Sequence, residues 1–364
     1  MIIQDVINHL EELAPLAYAE DFDNVGLLVG DKNQKLTGVL VTLDTLESVV
    51  DEAISQNCNL IVSFHPIIFK GLKKITGKTY VERVVLKAIK NKIAIYAIHT
   101  ALDNALQGVN DMICKQLGLV NRKILIPQSE TIKKLTTYVP QNEAEHLRTA
   151  LFNAGAGNIG NYSNCSFNVD GIGTYQGNEN SNPTLGEKGK THHETEIQVS
   201  VIFSKHLESD IIKTLIDTHS YEEVAYEVVT IENKNQNIGM GMIGEFKDPM
   251  NEGDFLAYLK SRMKTGCIRH SSFLNKSIKK VAVLGGSGSF AINAAKTAGA
   301  DAYVTADLKY HDFFMAENTI FLADIGHYES EQFTKNLLVT YLTKKITNFA
   351  VVLSNTNTNP VKYF

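Results

Sequence analysis

The chain has 364 residues, a formal net charge of −5 and a hydrophobic fraction of 44%, so it is long enough for more than one domain and ordinary in composition for a globular protein. The acidic balance gives no overall pull toward nucleic acid or an anionic membrane, and no run of about 18 uncharged apolar residues offers a membrane span. Cys58, Cys114, Cys165 and Cys267 are far apart and form no C-x-x-C, which suggests neither a zinc knuckle nor a disulfide framework; with no basic leader in MIIQDVINHLEELAP, the cytoplasm is the expected location.

Taken in order, Ile3, Val6, Ile7, Leu10 and Leu13 repeat at helical spacing until Pro15. GLLVGD and TGVLVTLD then read as strands, TLESVVDEAISQNC as a helix and NLIVSFHP as a strand. This is a βαβ unit, and its nearly continuous apolar runs predict a sheet covered on both faces. TYVERVVLKAIKNK follows as a helix, IAIYAIHTALDN as a strand that ends on a histidine, and VNDMICKQLGL as a short helix. From about Lys133 to Ile231 the segments predict a β-α-β-β-α-β order, the ferredoxin-like plan, with GNENSNPTLGEKGKTHHE as a long polar loop inside it. Beyond it KKVAVLGG reads as a strand, SFAINAAKTAG as a helix, ADAYVTADLKYHDF and NTIFLADIGHYESE as strands, and EQFTKNLLVTYLTKKI as a helix.

TGVLVTLD matches KKVAVLGG, NLIVSFHP matches DAYVTADL, and IAIYAIHTALD matches TIFLADIGHYESE. We read this as a diverged internal duplication. The expected fold is α/β: a duplicated α/β domain built from residues 1–130 and 236–364, interrupted by an α+β insert at 131–235.

Ligands of open α/β sheets collect at the carboxyl ends of the strands. There the sequence places His65, the pair His99 and Asp103, Asp307, and the pair His327 and Glu331. Both pairs have the spacing H-x3-[DE], which one helical turn or a compact loop brings to one face. Imidazole with carboxylate is the donor mixture of Zn, Mn or Fe as divalent ions, whereas packing alone would use apolar residues at these ends. One or two divalent ions are therefore expected. The remaining histidines, His219 among them, read as surface or loop residues. VLGGSGSFAINAA admits three readings: a dinucleotide fingerprint from Gly286, Gly288 and Ala291 with Asp307, a tight turn, or an anion-binding loop at Gly286, Ser287 and Gly288. The anion loop is preferred, because a histidine-carboxylate cluster has no role in simple NAD binding.

DFDNVGLLVGD, SFHPIIF, AIHTALDN and GHYESE together resemble the motifs of the Nif-three-like dinuclear metal-centre family, often labelled GTP cyclohydrolase I type 2 homologues, over nearly the whole chain. The resemblance implies a metal cleft between the duplicated halves, an insert similar to the PII and CutA proteins, and a homo-oligomer in the form of a hexameric ring. It implies that His65 and Asp103 hold a first ion, that Glu331 bridges, that His327 holds a second ion, and that His99 lies beside the site as an auxiliary ligand. Phe22 stands where the family has tryptophan, and Phe64 stands where it has a ligand histidine. By strand alternation Phe64 should point away from His65. With one ligand fewer, one tight and one exchangeable ion are expected. The function expected is metal-dependent hydrolysis of a nucleotide or phosphorylated metabolite, with no general base assigned apart from the ligands. The alternative is a non-enzymatic metal-dependent sensor or scaffold, without a membrane partner and with nucleic acid disfavoured by the acidic balance.

Overall fold

Apolar runs of four residues, buried throughout, form the centre of the first sheet: Val39–Thr42, Leu60–Ser63 and Ala94–Ala97. The computed structural model describes residues 1–363. It divides into one compact unit made of residues 1–127 and 236–364, and a second made of residues 128–235.

In the first unit, the five-stranded sheet runs in the order Gly26–Val29, Ala94–Ala97, Leu60–Ser63, Val39–Thr42 and Val351–Leu353. Only Gly26–Val29 is antiparallel to its neighbour. A six-stranded sheet has the order Arg269–His270, Phe321–Asp324, Ala302–Ala306, Ser277–Ser287, Asn235–Asn251 and Val120–Gln128, with parallel pairing among its second, third and fourth strands. Each sheet thus has a parallel three-strand centre, as the matching sequence segments predict.

Side-chain alternation distributes these strands between cores. Val39, Val41, Leu60 and Val62 join Val281, Val283, Val304 and Phe321 in one hydrophobic cluster shared by the two sheets. Their alternates face outward: Leu40, Ile61 and Ile95 pack under Val49, Val50, Val84 and Val85 of helices Glu47–Ser55 and Tyr80–Lys90, while Ala282, Tyr303 and Leu322 pack under Ile292 and Ala295. Burial of each such Val, Leu or Ile contributes about 1.5–3 kcal/mol. The N-terminal helix Ile3–Leu13 buries Ile3, Val6, Ile7 and Leu10 in the shared core, and it is tied to helix Thr334–Lys345 by the Tyr341 hydroxyl donating to the His9 carbonyl at 2.9 Å.

Two edge strands were not read from the sequence. Val120–Gln128 precedes the insert yet belongs to the second sheet, and Val351–Leu353 closes the chain yet belongs to the first. The two halves therefore exchange edges. Two segments read wholly as strands are also shorter than expected: ADAYVTADLKYHDF is a strand only over Ala302–Ala306, followed by a 3-10 turn over Tyr310–Ala316, and NTIFLADIGHYESE is a strand only over Phe321–Asp324, followed by a helix over His327–Glu331.

In the second unit the strand order is Phe167–Gln176, Thr191–Ser204, Ile132–Pro140 and Tyr226–Ile231, all antiparallel. Helices Ala144–Asn153 and Glu208–Thr218 cover one face through Leu147, Leu151, Ile211 and Leu215. The β-α-β-β-α-β order is the one read from the sequence. His192 and His193, placed in the polar loop by their sequence context, lie instead in the strand Thr191–Ser204. All four cysteines are free, and no helix among the described residues is long and apolar enough to cross a membrane.

Candidate metal centre

The parallel strand Leu60–Ser63 ends two residues before His65, and Phe321–Asp324 ends three residues before His327. Both histidines therefore emerge from carboxyl ends of parallel strands. His99 and His327 do not close their strands, as the sequence suggests, but open short helices, His99–Asn104 and His327–Glu331. One helical turn then sets His327 and Glu331 side by side, with Nε2 and Oε2 3.2 Å apart.

His65 reaches the same carboxylate oxygen, its Nε2 also 3.2 Å from Glu331 Oε2. Donor atoms of His65, His327 and Glu331 all lie within 4.8 Å of one another. Glu331 is 3% exposed, and its Oε2 makes a well-formed hydrogen bond to neither imidazole despite these separations. Asp103 Oδ1 is likewise buried without a hydrogen-bond partner. A buried carboxylate oxygen left open between two imidazole nitrogens, with a second unpartnered buried carboxylate oxygen on Asp103, fits a divalent cation, which takes this donor set. Asp103 and His99 stand beside the three-residue group rather than within it. The His99 ring lies 5.2 Å from that of His65, centre to centre.

Each histidine is held from behind by a carboxylate. Nδ1 of His65 donates to Asp44 at 2.8 Å, Nδ1 of His327 to Asp307 at 2.6 Å, and Nδ1 of His99 to Asp23 at 2.9 Å. A carboxylate acceptor on Nδ1 fixes the tautomer and leaves Nε2 as the metal-facing nitrogen. Asp23 is further held by the backbone N–H of Thr100 at 3.1 Å and by the Thr100 hydroxyl, and Asp44 accepts from the Thr358 hydroxyl at 2.6 Å.

These contacts set the protonation states. Burial alone would lower the His65 imidazole, but the hydrogen bond to Asp44 and the adjacent Glu331 carboxylate outweigh it and push it up to about 10. His327, opposed by burial and raised by Asp307 and Glu331, goes up to about 11. Burial would raise Glu331, yet the two imidazoles hold its carboxyl below the usual range. Asp103 is pushed well up, first by burial and then by the charge of Glu331. Protons on the imidazoles thus supply the positive charge that a cation would supply.

Phe64 is fully buried, but it does not point away from His65. Its ring lies 4.9 Å from His65 and 5.4 Å from His99, centre to centre. Phe64 continues the alternation of Leu60 and Val62 into the shared core, and its N–H still donates to the Thr42 carbonyl at 3.1 Å, so the two imidazoles pack against a ring that stays on the core face. Phe22 and Phe69 form an exposed aromatic pair with centres 6.4 Å apart, and Phe69 lies 6.5 Å from His99.

The glycine loop behaves differently from an anion cradle at Gly286. Backbone N–H groups of Gly285 and Gly286 donate to Asn110 Oδ1 and Ser330 Oγ at 3.0 and 2.9 Å, so they are occupied internally. Ser287 ends the strand Ser277–Ser287, the carbonyl of Gly288 accepts from the Tyr303 hydroxyl at 2.8 Å, and the helix that follows spans only Ile292–Thr297. Gly286 instead provides room: at φ +68°, a Cβ there would fall 2.5 Å from Glu331 Oε1. Asp307 backs His327 rather than standing free to receive a ribose.

Sequence reasoning missed Asp23, Asp44, Thr100 and Thr358. Asp23 lies inside DFDNVGLLVGD and Asp44 closes TGVLVTLD, so their positions carried a signal. A cavity of about 410 Å³ opens beside the site, lined by Asp44, His65, Arg269, Asp307, His327 and the C-terminal stretch around Asn359.

The family model described as Duf34/NIF3 (NGG1p interacting factor 3) matches residues 1–360. A Bacillus subtilis protein named GTP cyclohydrolase 1 type 2 homolog is 37% identical over 373 residues, covering 99% of this chain and 98% of its own. A Bacillus cereus protein related to NIF3 superposes with a TM-score of 0.86 at 36% identity, covering 100% of this chain and 99% of the other. A Staphylococcus aureus crystal structure gives a TM-score of 0.79 at 31% identity with the same coverage. By its sequence over nearly its full length, and by its fold, the chain belongs to the Duf34/NIF3 family.

Proposed function

We propose that the protein is a divalent-metal-dependent hydrolase acting on a nucleotide or phosphorylated metabolite. The observation that carries this reading is the convergence of two carboxylate-backed histidines on the open Oε2 of Glu331, beside a cavity of about 410 Å³. His65, His327 and Glu331 would hold the ion, with Asp103 and His99 adjacent. A bound divalent ion would supply Lewis-acid polarisation of a phosphoryl or carbonyl oxygen. Asp44 and Asp307 orient the imidazoles, and burial of Glu331 keeps its carboxylate in place for the cation. We further propose, from the replacement of a histidine by Phe64, that one ion is held tightly and a second exchanges.

The name of the curated relatives makes GTP the first substrate to try. Replacement Glu331→Ala is expected to remove bound metal and, with it, turnover of GTP and of a panel of nucleotides and phosphoesters. Undiminished hydrolysis by Glu331→Ala would reject the assignment.

The second reading is a metal-dependent sensor or ring-forming scaffold. It is favoured by the separate 128–235 unit, whose strand order is compatible with a PII- or CutA-like insert. Saturable nucleotide binding that raises the melting temperature without turnover would select it. The hexamer implied by the family resemblance is tested by light scattering on the eluting protein.

A further inference from the structure

Strand Phe167–Gln176 carries glycines at 171 and 173 in its interior, a pattern that weakens a strand and marks close approach by another group. In register, Gly171 pairs directly with Glu196 on the neighbouring strand, so both lie on one face of the sheet. Glu196 is 7% exposed. Its Oε1 accepts from the Tyr221 hydroxyl at 2.8 Å, while Oε2 accepts from no group among the described residues. A Cβ at Gly173 would fall 2.1 Å from that Oε2, so glycine is what leaves room for the carboxylate.

Above this face lies a cavity of about 600 Å³ within the 128–235 unit, a volume typical of small-molecule sites. Its roof is the Asn-rich segment 177–185. Thr184 Oγ1 donates to the Ser220 carbonyl at 2.8 Å, the Asn182 N–H to Glu222 at 2.7 Å, and the Tyr175 hydroxyl to the Leu185 carbonyl at 3.0 Å. The wall is fixed as well: His219 Nε2 donates to the Tyr138 carbonyl at 2.9 Å while its Nδ1 accepts from the Tyr221 N–H at 3.0 Å. His219, read from sequence as surface, is 8% exposed and braces two of the aromatic walls.

The chemistry of the lining has one sign. Asp170, Glu196, Glu222 and Glu223 contribute carboxylates, and the described lining residues include no lysine, arginine or histidine. Tyr138, Tyr175 and Tyr221 contribute rings, the last two edge to face with centres 5.9 Å apart. A nearly buried carboxylate with no cationic partner is costly to keep, and aromatic faces attract cations. We infer that this cavity is a second ligand site, for a small organic cation whose ammonium or amidinium group meets Glu196 Oε2 and whose apolar body lies among the three tyrosines. The Tyr221 phenol, pushed up by burial and by Glu196, stays protonated and orients the carboxylate for this contact.

Calorimetric titration of the full-length protein with three probes sharing one ring system separates charge from bulk: tryptamine (cation), tryptophol (neutral) and indole-3-propionate (anion). Tryptamine is expected to bind about tenfold or more tightly than tryptophol, with no measurable binding of the anion. Glu196→Gln should erase that preference, and Gly171→Phe, which projects a ring into the cavity, should abolish binding of all three. Unchanged metal content and melting temperature verify that each variant is folded. The inference is overturned if no probe binds, if the three bind alike, or if folded Glu196→Gln keeps the preference for the amine.

Discussion

Phe64 occupies the position at which the family resemblance implies a ligand histidine, and its ring touches both His65 and His99. Restoring the donor by Phe64→His is expected to convert the exchangeable ion into a tightly held one. The check is metal per chain after gel filtration, which should rise from one toward two. The same site predicts a pH dependence with a definite sign. His65 and His327 are raised in the folded chain to about 10 and about 11. Their contribution to stability is therefore fully present below about pH 6.5, the unfolded value, and is lost as pH rises through the folded values. Chelated protein should lose melting temperature progressively over that window. Metal affinity should move the opposite way, rising with pH, because each ion must displace imidazole protons. Melts in chelator and zinc titrations at several pH values read the two trends, and a flat affinity profile would contradict the assignment of both histidines as ligands.

Short elements at the strand ends do the positioning. In AIHTALDN and GHYESE the histidine-to-carboxylate spacing is visible in the sequence, but only the helical turn His327–Glu331 brings its pair into contact. The equivalent turn His99–Asn104 instead directs His99 to Asp23. Gly286 sits against this arrangement with φ +68°. Gly286→Ala should cost about 1–3 kcal/mol in stability through backbone strain, and its Cβ, 2.5 Å from Glu331 Oε1, should displace the carboxylate. Denaturant unfolding and metal content measure the two effects separately, and a variant that keeps full metal content would show that Glu331 has room to shift.

At the scale of the whole chain, the insert leaves the unit that carries the candidate metal centre from strand Val120–Gln128 and returns through its sheet neighbour Asn235–Asn251. A Cβ at Gly239 would fall 2.1 Å from the Ile126 carbonyl oxygen, so the two crossing strands are in close contact. Residues 128–235 can therefore be replaced by a short flexible turn without opening the sheet. The excised protein is expected to fold cooperatively and to keep its metal, while losing the tryptamine site. Aggregation of the shortened chain, or loss of metal that the full-length protein holds, would show that the insert supports the other unit.

The sequence by itself determined the type and order of the elements at the centre of each sheet and in the insert, because apolar period and turn residues are local properties. LIVSFHP reads as a covered strand for that reason, and His65, His327 and Glu331 lie at the carboxyl ends where ligands collect. Tertiary structure alone decided what has no local trace. Asp23 meets His99 across 76 positions of chain and Thr358 meets Asp44 across 314, and no periodicity encodes such partners. Val120–Gln128 and Val351–Leu353 pass unnoticed in the sequence, since which sheet an edge strand joins depends on the open edge available after both centres have formed. The contact of Phe64 with both imidazoles is of the same kind: alternation puts its ring in the core with Leu60 and Val62, but only the fold brings His99 from the next strand end against it.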